Sequence, residues 1–214
     1  MPATRTIPLP LSPGRVHEAC GPGAVAFAAV AAAWGEGPLL WVREGWPAAM
    51  LHPAGLAAIC DPGRVLLART ARQAETLAVA EEALKDGTLP LVVIEITRPL
   101  DLRQGRRLQL AARAGATTGL CLIPEGMGSP AAETRWRCRP VFDPTAVTED
   151  STCMAWEIIK NKTGTVGVWH VRWNAAAHRL DMVSPVAQRP GPAPPPGGGS
   201  LCPDAPAGQY RADP

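Results

Sequence analysis

The sequence predicts an α/β fold: a mostly parallel central sheet flanked by helices, followed by an antiparallel, β-rich C-terminal part. Three observations carry this. Short apolar segments alternate with helix-patterned ones between residues 14 and 123. One of them, Leu89-Pro90-Leu91-Val92-Val93-Ile94-Glu95, contains the unbroken apolar run of a strand buried on both faces. After Pro124 the pattern changes to strand-like alternation between turns.

Gly14-Arg15-Val16-His17-Glu18-Ala19-Cys20 reads as a short strand. Gly21-Pro22-Gly23 makes a tight turn, and an alanine-rich helix runs from about Ala24 to Trp34. Strand, glycine turn and helix in this order are how a phosphate loop presents backbone amides and a helix N-terminus to an anion. A working loop reads G-x-x-x-x-G-K-[ST], with the lysine on the phosphates and the hydroxyl on Mg²⁺. Here neither residue follows the turn, and the first lysine of the chain is Lys85. The loop is therefore degenerate, and no ATP turnover is expected.

Pro38–Val42 and Arg64–Ala68 read as apolar strands bounded by Gly or Pro. Between them a short helix begins at His52-Pro53-Ala54 and ends near Asp61-Pro62-Gly63. Thr70-Ala71-Arg72-Gln73 has the spacing of a capping box, with Thr70 bonding the Gln73 amide. The helix it opens carries Leu77, Ala80 and Leu84 and stops at Gly87. Asp101 caps a further helix carrying Leu108, Ala111 and Ala112, ended by Gly115. Thr118–Ile123 is a second buried strand. Strands 38–42, 64–68, 90–96 and 117–123 are expected at the centre of the sheet. Thr134–Val141, Met154–Asn161 and Val168–Trp173 are expected to pair antiparallel, with turns at Asp143-Pro144 and Thr163-Gly164. The layout is an extension at 1–12, a domain at 13–184 and a Pro/Gly-rich tail at 185–214, which cannot bury enough apolar surface to order itself.

At 214 residues the chain is long enough for one domain with a substantial core. A net charge of +2 is too mild to argue for nucleic acid. No apolar run approaches a membrane span and no signal peptide is read, so the expected compartment is the cytoplasm. Six scattered cysteines without a C-x-x-C pair read as small hydrophobes in a reduced protein. No metal, cofactor or catalytic residue is assigned.

Over about residues 13–184 the chain resembles the ImuA family, RecA-like accessory proteins of bacterial damage-induced mutagenesis. The resemblance rests on Gly-Arg-Val-His-Glu before the degenerate turn, Leu-Pro-Leu-Val-Val-Ile-Glu, and Arg106-Arg107-Leu108-Gln109-Leu110-Ala111-Ala112. It continues through Thr134-Arg135-Trp136-Arg137, Ile159-Lys160-Asn161-Lys162-Thr163-Gly164 and His170-Val171-Arg172-Trp173-Asn174. It implies a RecA-like core whose DNA-binding loops are cut down to about 97–105 and 124–133. Gly21, Gly23, Glu44 and Glu95 would be its vestigial nucleotide site, with Glu44 in the place of a water-positioning carboxylate and Glu95 in that of the Mg²⁺ acid. Lys160 and Lys162 would match a turn that reaches a neighbouring subunit, and so a partner interface. The implied role is a non-catalytic adaptor in SOS translesion synthesis. Its partners would be an inactive, ImuB-like Y-family polymerase homologue and an error-prone C-family DNA polymerase, with RecA as a further contact. A divergent RecA-like ATPase and a SulA-like division inhibitor are the alternatives.

Two arginine groups are candidate contacts for DNA or an acidic partner. Arg103, Arg106 and Arg107 lie on one helix, where the alternative is a solvated face. Arg135, Arg137 and Arg139 share one face of a strand, with Trp136 and Cys138 on the buried side; the alternative is an edge strand kept soluble by charge. Any DNA binding through them is expected to be weak, sequence-independent and salt-sensitive. Trp156, Trp169 and Trp173 are expected to pack in the core.

Overall fold

The computed structural model describes residues 11–47, 49–142 and 151–183. The expected turn at Asp143-Pro144, residues 1–10 of the extension and the tail from Pro185 lie outside them. In chain order the elements are β1 (Val16–Cys20), α1 (Ala24–Trp34), β2 (Leu39–Glu44) and α2 (Pro53–Ala57). A 3₁₀ turn (Pro62–Arg64) leads into β3 (Val65–Thr70), α3 (Gln73–Asp86), β4 (Leu91–Glu95), α4 (Leu102–Gly115) and β5 (Thr118–Leu122). Four strands complete the series: β6 (Thr134–Pro140), β7 (Ser151–Asn161), β8 (Gly167–Asn174) and β9 (Arg179–Met182).

All nine strands form one sheet in the order β3-β2-β4-β5-β1-β6-β7-β8-β9. Pairing is parallel from β3 to β6 and antiparallel from β6 to β9. The apolar run of β4 follows from its position inside the sheet. Leu91 and Val93 face a core with α1 and α2, whereas Val92 and Ile94 face the opposite core with α3 and α4. Alternate residues point to opposite faces, so two covered faces demand an unbroken apolar sequence.

Alanine makes α1 a close-packing helix. Ala24, Ala28, Ala29 and Ala32 are buried, and Phe27 is fully buried among aromatic rings. Its ring lies 5.3 Å from Trp136 on β6 and 4.8 Å, edge-on, from Trp156 on β7. The antiparallel strands thus share a core with α1. Trp156 and Trp173 are buried as expected and Trp169 is partly buried; Trp173 Nε1 also donates to Ala58 O at 2.8 Å.

The structure corrects four local expectations. Val65–Thr70 is an edge strand, with Leu66 and Leu67 half-exposed, because among the described residues only β2 pairs with it. Thr134–Pro140 pairs parallel with β1 on one side and antiparallel only with β7. Short-range alternation is the same for both pairings and cannot tell them apart. The capping box at Thr70 does not form, since Thr70 ends β3 and its carbonyl accepts from Gly45 N at 2.8 Å. Extended backbone there delays the helix to Gln73, behind an N-cap Arg72 that makes no side-chain cap bond. Finally, β9 was not anticipated. At Asp101 the reading holds: its side chain accepts from Gln104 N at 2.6 Å, and Gln104 Oε1 accepts from Asp101 N at 3.0 Å.

Helices α3 and α4 meet where Gly115 ends α4. A Cβ there would fall 2.1 Å from Leu84 O and 2.9 Å from Lys85 O, both backbone atoms. Gly115→Ala should therefore lower the unfolding free energy by roughly 3 kcal/mol in urea titration. Gly126→Ala, with a φ of +82° but nothing within 4 Å of the new Cβ, should cost only about 1 kcal/mol. Equal costs would mean that the helix contact yields.

Candidate functional site

The C-terminal ends of the parallel strands bring together the glycine turn after β1, Glu44 at the end of β2 and Glu95 at the end of β4. In open α/β sheets this is the edge where ligands bind.

The glycine turn is pressed against strand β6. Gly23 N donates to Cys138 O at 2.9 Å, and Ala24 N donates to Gly21 O at 3.0 Å. A Cβ on Gly21 would fall 2.6 Å from Cys138 O, and one on Gly23 3.0 Å from Cys138 C. Close approach to the β6 backbone therefore explains both glycines. A phosphate cradle needs several unspent amides converging on one point. In this turn Pro22 has no N–H, and the amides of Gly23 and Ala24 are directed at carbonyls.

Both candidate carboxylates are engaged within the fold. Glu95 Oε1 accepts from Trp41 Nε1 at 2.8 Å, and Glu95 Oε2 lies 3.3 Å from Arg43 Nη2. Arg43 itself is buried. Glu44 is buried and accepts from the Thr97 hydroxyl, while its Oε1 lies 3.9 Å from Arg98 Nη2. The loop that carries Thr97 and Arg98 is clamped by Gln73, whose Oε1 accepts from both amides at 3.0 and 2.7 Å. Beside Glu95 lies an open cleft of about 260 Å³, lined by Val25, Arg43, Met50, Thr97 and Pro124 among others. Its walls are mainly apolar.

The arginine row of β6 is not a uniform exposed face. Trp136 and Cys138 are buried as expected. Arg135, however, has a side chain only 20% exposed, and its Nε donates to Glu18 Oε2 at 2.7 Å. Glu18, on β1, is 1% exposed and also accepts from Ser129 N at 2.8 Å. Arg135 Nη2 donates to Ser129 O at 2.9 Å, and Gly128 leaves room for the guanidinium. Arg137 is half-exposed and faces Glu157 at 3.1 Å and Glu125 at 3.8 Å. Of the three, Arg139 alone is exposed.

Lys160 is partly buried and Lys162 exposed, and the ammonium groups of both reach carbonyls of the 130–132 loop. Lys160 Nζ donates to Pro130 O at 2.8 Å and also to Ala132 O. Lys162 Nζ donates to Ala131 O at 2.7 Å. Burial, followed by the charges of Lys162 and Arg135, lowers the Lys160 pKa. Gln109 on α4 completes the clamp, donating to Val16 O at 2.8 Å and to Ala131 O at 3.0 Å. Both lysines and Arg135 thus serve the chain's own loop. On α4, Arg103, Arg106 and Arg107 are all exposed, and Arg107 pairs with Glu81 at 2.6 Å.

Residues that the sequence reading passed over organise this region. Glu18 was legible in principle, since a carboxylate inside a strand buried on both faces requires a cation. Nothing local identified Arg135 as that cation, or Gln73 and Gln109 as clamps. His17 is a further case, fully buried with a pKa pushed down to about 4, chiefly by burial. Its Nε2 faces Ser12 O at 3.3 Å and must carry the proton, because a carbonyl only accepts. Nδ1 then accepts from the Thr134 hydroxyl at 2.7 Å, and Thr134 Oγ1 accepts from Trp136 Nε1 at 2.9 Å.

Cys20, Cys60, Cys121 and Cys138 are buried, and burial raises their thiol pKa values. Among the described residues no helix is long and apolar enough to cross a membrane, and no cluster of His, Cys, Asp and Glu comes together that could hold a metal ion. No protein-family model matches the chain, and no curated protein matches it.

Two measurements check this network. Arg135→Leu leaves Glu18 buried without its cation and should cost about 3–5 kcal/mol of stability, whereas Arg139→Leu should stay within about 0.5 kcal/mol of the parent. For His17 the folded pKa is depressed below the unfolded value of 6.5, so the unfolded chain binds the proton more readily. Stability should fall by about 3 kcal/mol as pH drops from about 6.5 to about 4. In a His17→Gln variant that component of the pH dependence should vanish from chemical unfolding curves.

Proposed function

We propose that this chain is a non-catalytic, RecA-like adaptor in a damage-induced translesion-synthesis complex. It works in the cytoplasm with an inactive Y-family polymerase homologue and an error-prone C-family polymerase. The observation that carries the non-catalytic part is the Gly23 amide donated to Cys138 O. A loop seated on a neighbouring strand has spent part of the amide array that phosphoryl transfer would use for positioning and charge neutralisation. The engagement of Glu95 by Trp41 and Arg43 points the same way. The adaptor part rests on the resemblance of residues 13–184 to the ImuA family. A mostly parallel sheet with both faces covered agrees with that resemblance.

The ammonium groups of Lys160 and Lys162 are bound to the 130–132 carbonyls, which argues against that turn as the partner surface in this reading. The strand arginines are likewise poor candidates for DNA, with Arg135 and Arg137 held by carboxylates.

Purified protein should show no ATP turnover above background. A turnover that disappears in Glu95→Gln would overturn the non-catalytic assignment. In the cell, deletion should lower ultraviolet-induced mutation, leave recombination intact, and abolish co-purification of the two polymerase partners with each other. Unchanged induced mutation in the deletion strain would defeat the adaptor reading.

A further inference from the structure

The outward face of α4 combines exposed leucines with unpaired arginines. At 3.6 residues per turn, Leu102, Arg103, Arg106, Leu110 and Arg113 fall within an arc of about 100°. The buried residues Gly105, Leu108, Ala111 and Ala112 lie on the opposite side. Leu102 is 46% exposed and Leu110 is 66% exposed. One exposed leucine is ordinary. Two on a single stripe, about 12 Å apart along the axis and interleaved with arginines, form a continuous amphipathic surface.

Charge on this face is unbalanced. Among the described residues Arg103, Arg106 and Arg113 have no ion pair, whereas Arg107, further round the helix, is held by Glu81. The helix beneath is firmly set by the Asp101–Gln104 capping box and by the Gln109 bonds to Val16 and Ala131. Beside the stripe lies a small pocket of about 130 Å³ between α3 and α4, in which Ala74, Leu77, Ala78 and Leu108 are joined by the paired Glu81 and Arg107.

We infer that this face of α4 docks an acidic, amphipathic helical segment of a partner protein. The partner's apolar residues cover Leu102 and Leu110, and its carboxylates pair with Arg103, Arg106 and Arg113. The arginines select an acidic partner, and the leucines select protein over nucleic acid. A phosphate backbone would satisfy the guanidinium groups yet leave both leucines in water. The inference deepens the adaptor reading and rests on it for the partner's biological identity; the surface itself rests on α4 alone.

The test uses a synthetic helical peptide of about 20 residues, with leucines along one stripe and glutamates on both flanks. It is titrated by fluorescence anisotropy against the full-length protein at about 0.1 M salt. Saturable binding is expected. It should weaken roughly tenfold or more in Leu102→Ser/Leu110→Ser, in Arg103→Gln/Arg106→Gln/Arg113→Gln, and with a peptide carrying glutamine for glutamate. Both protein variants should keep the parent's unfolding curve, since they alter exposed positions. No saturable binding, or a leucine variant that binds as the parent does, would overturn the proposal. So would a labelled DNA single strand that displaces the peptide and loses affinity only in the arginine variant, which would make this a nucleic-acid face. Failure here with induced mutation still lowered in the deletion strain defeats the docking face alone. Peptide binding with unchanged mutation defeats the adaptor reading alone.

Discussion

The ion pair between Glu18 and Arg135 sets the arrangement of the sheet. It joins β1 to β6, the last parallel pair of the sheet before the antiparallel pairing begins at β6–β7, and the two residues are direct register partners. Taking either charge out of water costs several kcal/mol, so the pair is weak evidence for net stability. It is strong evidence for register. A slip of one residue would carry Arg135 to the other face and leave Glu18 buried without a cation. The loop before β6 is drawn into the same network through Ser129, and Lys160, Lys162 and Gln109 fasten its remaining carbonyls. One buried carboxylate thereby fixes a strand, a loop and the first hairpin of the antiparallel part.

The position of β6 in turn governs the glycine turn. With β6 in place beside β1, Cys138 O meets Gly23 N, and Trp136 and Trp156 close over Phe27 of α1. A geometry that elsewhere serves an anion is used here to join two halves of a sheet. The same residue type takes opposite roles according to its surroundings. Arg43 and Arg135 balance carboxylates inside the fold, whereas Arg103, Arg106 and Arg113 are exposed and, among the described residues, meet no acid. Exposure and the nearest carboxylate, rather than arginine content, separate scaffold from surface.

Most local signals were legible in the sequence. The β-branched run at 92–94, the alanine-rich helix at 24–34, the cap at Asp101 and the stop at Gly87 all follow from periodicity or from hydrogen bonds within a few residues. Thr70 was misread because a strand ladder competed for its backbone, and the edge position of β3 was hidden because Val-Leu-Leu reads the same at an edge as in a centre.

The candidate site divides in the same way. The absence of a lysine just after Gly23 and the inward alternation of Trp136 and Cys138 belong to the sequence by itself. What only the tertiary structure decided is which groups meet. Arg135 finds Glu18, Gly23 finds Cys138, and Lys160 and Lys162 find the 130–132 carbonyls across separations of about 30 to more than 110 residues. Side-chain type and spacing specify what a residue requires, a cation for a buried carboxylate or an acceptor for an amide. The partner that meets the requirement is set by strand order and register, which depend on the packing of both faces of the sheet at once.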